Sequence, residues 1–319
     1  MIQHALNFTL FRPLILLWIC AAATARADNS EEQRRMIRLP WHIYRHYPAD
    51  FSRWHEAAVG FRGWESDVRE LDLDRCCLAL MHFPSRGLTP ATEWGPDSQN
   101  PNSLGTVEWV PRTMDVVAFR MPRLVKAARE AGLLVVHIAG TPGKGPVWER
   151  SLKEAGAAPP PNPDKITRDE KRWARHTRDV FDLPRSNQAP IQTEPPQVLG
   201  SGRYNILEPQ EGDICAAYSW QLHRLLKNRG VDHIIYCGWA LNWCLWFSPG
   251  GMCDMNRKGY LCSAVRGGCV AIENRESAVG EKNLEYAYWK TSTMFGYIFD
   301  LHELTTALRK HASNPANPN

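Results

Sequence analysis

Residues Val231–Cys244, VDHIIYCGWALNWC, restrict the fold of this chain more than any other stretch. The preceding segment Leu222–Gly230, LHRLLKNRG, has apolar residues at helical spacing and a Gly stop. The stretch from Val231 then reads as a buried strand ending in Gly238, followed by a tight turn and by Cys244 where the next helix begins. Helix, strand, turn and helix in that order make half of a parallel α/β unit. Such folds bind ligands at the carboxyl edge of the sheet, and Cys244 is placed there. A thiol at a helix N-terminus faces unpaired backbone N–H groups and the positive end of the helix dipole. Both favour thiolate, the form that attacks a carbonyl carbon. A small packing thiol at a strand end is the plainer reading of the same pattern.

Other units repeat the arrangement. Arg75–Leu80 reads as the first strand, Met121–Gly132 as a helix, and Leu133–Ile138 as the second strand. After Cys244 come a helix ending in Gly259-Tyr260 and an apolar strand running to Val265 and Arg266. The block from Leu222 to Glu273 resembles the isochorismatase-like cysteine hydrolases. That family has an apolar strand, then G-x-x-T-x-x-C-V, then a helix ending in "GY" and another strand. Gly238 and Cys244 keep the Gly-to-Cys spacing, and the likeness spans residues 70–300. It implies a three-layer, Rossmann-like isochorismatase-type fold, with a central parallel sheet, helices on both faces and right-handed crossovers. It also implies a homo-oligomer.

The family's catalytic triad is an Asp ending the first strand, a Lys from a middle segment, and the nucleophilic Cys. Here the position matching the Asp is Met81, which cannot take a proton. The Lys would lie a few residues beyond Asp213, yet no Lys occurs between Arg172 and Leu226. Leu241 replaces the Thr of the turn. Only the Cys of the triad is left. Two histidines could act as its base, His82 beside Met81 and His137 near the end of the second strand, since Cys–His is a workable nucleophile–base pair near neutral pH. Neighbouring strand residues point to opposite faces, so His82 takes the Asp position only if the strand end bulges or twists. Otherwise His82 caps a strand edge and His137 is a hydrogen-bonded core residue.

Trp239, Ala240, Leu241 and Trp243 are the candidate substrate-binding residues, as three of the 13 tryptophans flank the thiol at 239, 243 and 246. They line an aromatic pocket or pack the helix onto the sheet. The resemblance further implies a cis peptide at Trp239–Ala240, with the N–H groups of Ala240 and Cys244 facing an oxyanion. Two functions follow. One is a cysteine hydrolase that cleaves a small amide or carbamoyl C–N bond through a Cys244 thioester. The other is a catalytically inactive family member that binds a small ligand or a protein partner. The isochorismate-type reaction of the family needs no Cys nucleophile, which leaves the reaction class open.

The 319 residues, 44% of them hydrophobic, suffice for one α/β domain with extensions. Residues 1–27 read as a signal peptide: Arg12, a short apolar run Leu14–Ala23, and an A-x-A site at Ala25–Ala27. This predicts a secreted or periplasmic protein with no membrane span in the mature chain; an uncleaved tether is the alternative. Removing Arg12 and Arg26 leaves 36 basic against 34 acidic residues, which gives no support for nucleic-acid binding. No G-x-G-x-x-G follows Leu80 and no C-x-x-C occurs, so nucleotide-dependent redox, zinc-ribbon and thioredoxin readings fail. No cofactor and no metal is expected, although His42, His46 and His55 lie close in sequence. Cys253, Cys262 and Cys269 are near enough to form a disulfide, without spacing choosing a pair. Residues 28–70 are expected to wrap a domain at 71–310, which carries an irregular insertion at 142–205, and residues 311–319 to form a disordered tail.

Overall fold

The run Cys76–Met81, CCLALM, is buried at every position, as a strand covered on both faces must be. In the computed structural model, which describes residues 34–47, 50–53, 55–83, 110–140, 142–160 and 205–314, this run is strand β3 near the middle of an eight-stranded sheet. The other strands are β1 (Met36–Arg45), β2 (Gly63–Asp72), β4 (Leu134–Ile138), β5 (Ile214–Ala216), β6 (His233–Gly238), β7 (Leu261–Cys269) and β8 (Ile298–Asp300). Their order is β2-β1-β8-β7-β6-β3-β4-β5. Strands β3 to β8 are mutually parallel.

Alternation along β3 separates two apolar clusters. Cys77, Ala79 and Met81 face one side, with Leu222, Leu225 and Leu226 of α4 (Ser219–Lys227). Leu245 of α5 (Cys244–Phe247) and Met252 of α6 (Met252–Asn256) join them there. So do Leu284 and Ala287 of α7 (Lys282–Met294). Cys76, Leu78 and Leu80 face the other side, with Leu124 and Val125 of α2 (Met121–Glu130) and Leu304 and Leu308 of α8 (Leu301–Ala312). Helices on both faces of a mainly parallel sheet make three layers, the α/β architecture that the sequence leads one to expect.

Three regions differ from the sequence reading. Residues 36–45 and 63–72 do not wrap the domain; they pair with each other antiparallel through ten registered positions and join the sheet at His42↔Ile298. Ile37 and Leu39 alternate with exposed Met36 and Arg38, and that period of two commits them to a sheet edge. The start of the supposed irregular insertion is helix α3 (Pro146–Ala155), with Pro at its start, Gly156 at its end, and Val147, Trp148, Ser151 and Ala155 buried. Residues 161–204 of that insertion, residues 1–27 that the sequence reads as a signal peptide, and 84–109 lie outside the described residues. Helix α8 runs on to Ala312, past the expected start of the tail; residues 315–319 also lie outside them.

Chain order sets the ligand edge. From β3 the chain moves one way through β4 and β5, then returns to place β6, β7 and β8 on the other side. The order reverses between β3 and β6. At such a point the connections leave in opposite directions and open a crevice at the carboxyl ends.

Candidate active site

Met81 and Gly238 are register partners at the two strand ends beside that reversal. Gly238 has φ +129, and a Cβ added there would fall on the Met81 carbonyl oxygen. Only glycine permits this approach. The chains leaving the two strands remain in contact, with the Phe83 and Trp239 ring centroids 5.3 Å apart.

The peptide Trp239–Ala240 is cis, as the resemblance implies. The turn beyond it is pinned from a distant segment. Leu241 N–H donates to Val270 O (2.8 Å), and Val270 N–H donates to Gly238 O (3.2 Å). Asn242 pairs with the Ile272 main chain in both directions: its Nδ2 donates to Ile272 O (2.9 Å), and its Oδ1 accepts from Ile272 N–H (3.0 Å). Ala240 O receives the N–H groups of Trp243 and Leu245. The turn delivers Cys244 to the first position of α5, half-buried and unoxidised. Neither the Ala240 nor the Cys244 N–H donates to a described residue. Main-chain N–H groups left without an acceptor are the kind of donor an oxyanion uses.

The structure divides the candidate residues. His82 follows β3 with φ +58, a left-handed residue that ends the strand and breaks the alternation that would have turned it away. Its N–H donates to Ile138 O (2.9 Å), and its imidazole lies over Gly140. Its Nε2 is buried with no partner among the described residues. Burial pushes its pKa below the usual histidine value, so the ring is neutral and able to accept a proton.

His137 is placed elsewhere. It lies in register with Leu80, on the α2 side of the sheet, and its Nε2 is 2.9 Å from Asp213 Oδ2. Asp213 also accepts from Arg129 Nη2 (2.6 Å) and Gln210 N–H (2.9 Å). Burial alone would raise the Asp213 pKa, but these bonds outweigh it and hold the carboxyl below its ordinary value. The His137 ring thus belongs to a buried clasp on the face opposite α5, so its role as base to Cys244 is corrected. The clasp also explains Asp213, which sequence reasoning used only as a landmark for the absent Lys.

Of the proposed substrate contacts, Leu241 is withdrawn as a side chain because it is fully buried in the core. Ala240 is buried too and offers only its main chain. Trp243 is 49% exposed, and Trp239 packs against Phe83. Trp246 packs the core, with its Nε1 donating to Thr291 Oγ1 (3.1 Å). Met81, which the resemblance matches to the family's Asp, is entirely buried among apolar residues.

All eight cysteines among the described residues are free. Burial pushes the thiols of Cys76, Cys215, Cys262 and Cys269 up to about 12, so they stay protonated and inert. His42 lies on β1 and bonds Glu303 (2.8 Å). No group of three metal-ligating side chains occurs among the described residues. None of their helices is long and apolar enough to cross a membrane.

No family model matches the chain. It is similar in sequence to ureidoacrylate amidohydrolase RutB of Serratia proteamaculans, with 23% identity over 220 residues, covering 64% of this chain and 74% of that protein. Among solved structures it is similar to a cysteine hydrolase from Pseudomonas syringae pv. phaseolicola, with 16% identity, a TM-score of 0.44, and 76% of this chain and 95% of that one covered. An isochorismatase family protein from Desulfovibrio vulgaris shows 16% identity and a TM-score of 0.38 over 73% of this chain and 98% of its own. An octameric hydrolase of unknown specificity from Escherichia coli shows 11% identity and a TM-score of 0.37 over 75% and 82%.

Proposed function

We propose that this isochorismatase-like chain is a hydrolase in which Cys244 attacks the carbonyl carbon of a small amide or carbamoyl group. The observation that carries the reading is the placement of Cys244 and His82 after the two strands where the sheet order reverses. Neutral His82 takes the thiol proton, and the sulfur forms a bond to carbon. The resulting oxyanion lies toward the N–H groups of Ala240 and Cys244. Collapse breaks the C–N bond, and the leaving nitrogen takes the proton back from the imidazolium. Water, deprotonated by His82, then cleaves the thioester to the acid and restores the thiol. The likeness to an amidohydrolase in sequence is consistent with C–N cleavage. We read the mature protein as secreted or periplasmic after loss of residues 1–27, and as a homo-oligomer.

A second reading is a non-catalytic member that binds a small ligand or a protein partner. It is favoured by Met81 at the triad's Asp position and by the His82 ring lying over Gly140, on the β4 side. The test is the rate of iodoacetamide labelling at Cys244 against pH, in the wild type and in His82→Asn. A thiol pKa well below the free-Cys value of about 8.5, restored toward it by His82→Asn, supports the hydrolase. An ordinary thiol titration that His82→Asn leaves unmoved supports the binding protein.

A further inference from the structure

A second cleft, of about 710 Å³, opens over the carboxyl end of β7 and lacks Cys244 and His82 among its lining residues. Its volume falls within the ordinary range of small-molecule sites, about 300–1,000 Å³. One wall carries Arg112, Asp115, Val116 and Arg120, a single helical face. That wall changes from α1 (Val110–Asp115) into a π-helical turn, Val116–Arg120, closed by Met121 N–H on Val116 O. Such turns gather at functional sites. The facing wall is the start of α7, with Glu281, Leu284 and Glu285. Glu281 is held left-handed at φ +50, an uncommon state for a non-glycine residue.

Charge decides what this cleft accepts. Arg120 pairs with Asp115, Arg266 with Glu285, and Arg112 Nε lies 3.1 Å from Glu281 Oε1, bridging the two walls. The Arg266 guanidinium is held over the Tyr288 ring, 4.5 Å from its centroid. Asp300, the remaining carboxylate of the lining, is taken up by the N–H groups of His302 and Glu303 at the start of α8. Because each arginine already has a carboxylate, a simple anion must displace one and leave it unpaired, and a simple cation meets the mirror-image cost. A zwitterion exchanges both halves of a pair at once, carboxylate to guanidinium and ammonium to carboxylate, and leaves no charge unmatched. Between the charges, Val116, Val270, Leu284 and Leu301 supply an aliphatic lining.

We propose that this cleft is a binding site for a zwitterionic amino acid or dipeptide with an aliphatic side chain, separate from the Cys244 site. The test is calorimetric titration of the full chain with L-leucine, N-acetyl-L-leucine and L-leucinamide, which share one side chain and differ in charge. Saturable binding of leucine, with both singly charged analogues weaker by about tenfold or more, is the expected result. Glu285→Gln, at an exposed rim position, is expected to weaken leucine by a similar factor, as is Arg266→Gln. Cys244→Ser is expected to leave leucine binding unchanged, which separates this site from the proposed catalytic one. Equal binding of N-acetyl-leucine, no binding of leucine, or leucine binding insensitive to Glu285→Gln would overturn the proposal.

Discussion

His137 Nε2 lies 2.9 Å from Asp213 Oδ2, and the same carboxylate receives the Arg129 guanidinium at 2.6 Å. The chain returns to the sheet at this clasp, since Arg129 also donates to the carbonyls of Ile206 and Glu208. Asp213→Asn removes the only acid of the trio and leaves Arg129 without its carboxylate. The expected loss is about 3–5 kcal/mol of stability, as when one partner of a buried ion pair is removed. Urea denaturation measures it, and Cys244 labelling in the folded variant is expected to match the wild type.

Gly238→Ala tests the close approach of β6 to β3. The added Cβ meets the Met81 carbonyl in a backbone state that L side chains rarely adopt. Backbone strain and overpacking together predict a loss of roughly 2–5 kcal/mol. A thermal midpoint equal to that of the wild type would refute this account of the strand ends.

Asn242→Ala removes both bonds between the thiol turn and Ile272. Unmet main-chain groups cost about 1–3 kcal/mol, and the turn loses its hold on the Cys244 backbone. Denaturation should record the first effect. The second should appear as a Cys244 alkylation profile shifted toward that of an ordinary thiol, while Asn242→Asp, which keeps one acceptor, falls between.

Acid destabilises the fold through His233. Its imidazole is buried against the Trp41 and Phe299 rings, with Ser263 Oγ as its hydrogen-bond partner among the described residues (2.8 Å), and burial lowers its pKa from 6.5 to about 3. The ring is neutral in the folded chain and gains its proton on unfolding, so its contribution is complete above the unfolded value and is lost as pH falls toward the folded one. Stability measured between pH 6.5 and 3 is expected to rise with pH. His233→Gln should flatten that slope, and an unchanged slope would rule the residue out as its source.

The central sheet and the position of Cys244 are legible in the sequence because both are local. An apolar run of strand length, a Gly at its end and a Cys six residues later need no distant partner to be recognised. The outer hairpin, β1 with β2, escaped because its tryptophans and histidines obscure a period of two that only Ile37 and Leu39 mark plainly. The role of His137 depends on an acid 76 residues away, and that of Asn242 on a main chain 30 residues downstream; neither spacing leaves a periodic trace. The left-handed state of His82 was equally hidden, since histidine, unlike glycine, does not announce a positive φ.

The bonds from Val270 and Ile272 to the turn at 238–242 also impose an order on assembly. Helix α4, strand β6 and the thiol are made first, yet the groups that fix the thiol's surroundings belong to chain beyond β7. A nascent chain that has emerged only as far as α6 therefore carries Cys244 on an unanchored loop. Whatever reactivity the mature turn confers is withheld until the parallel sheet has grown past its midpoint.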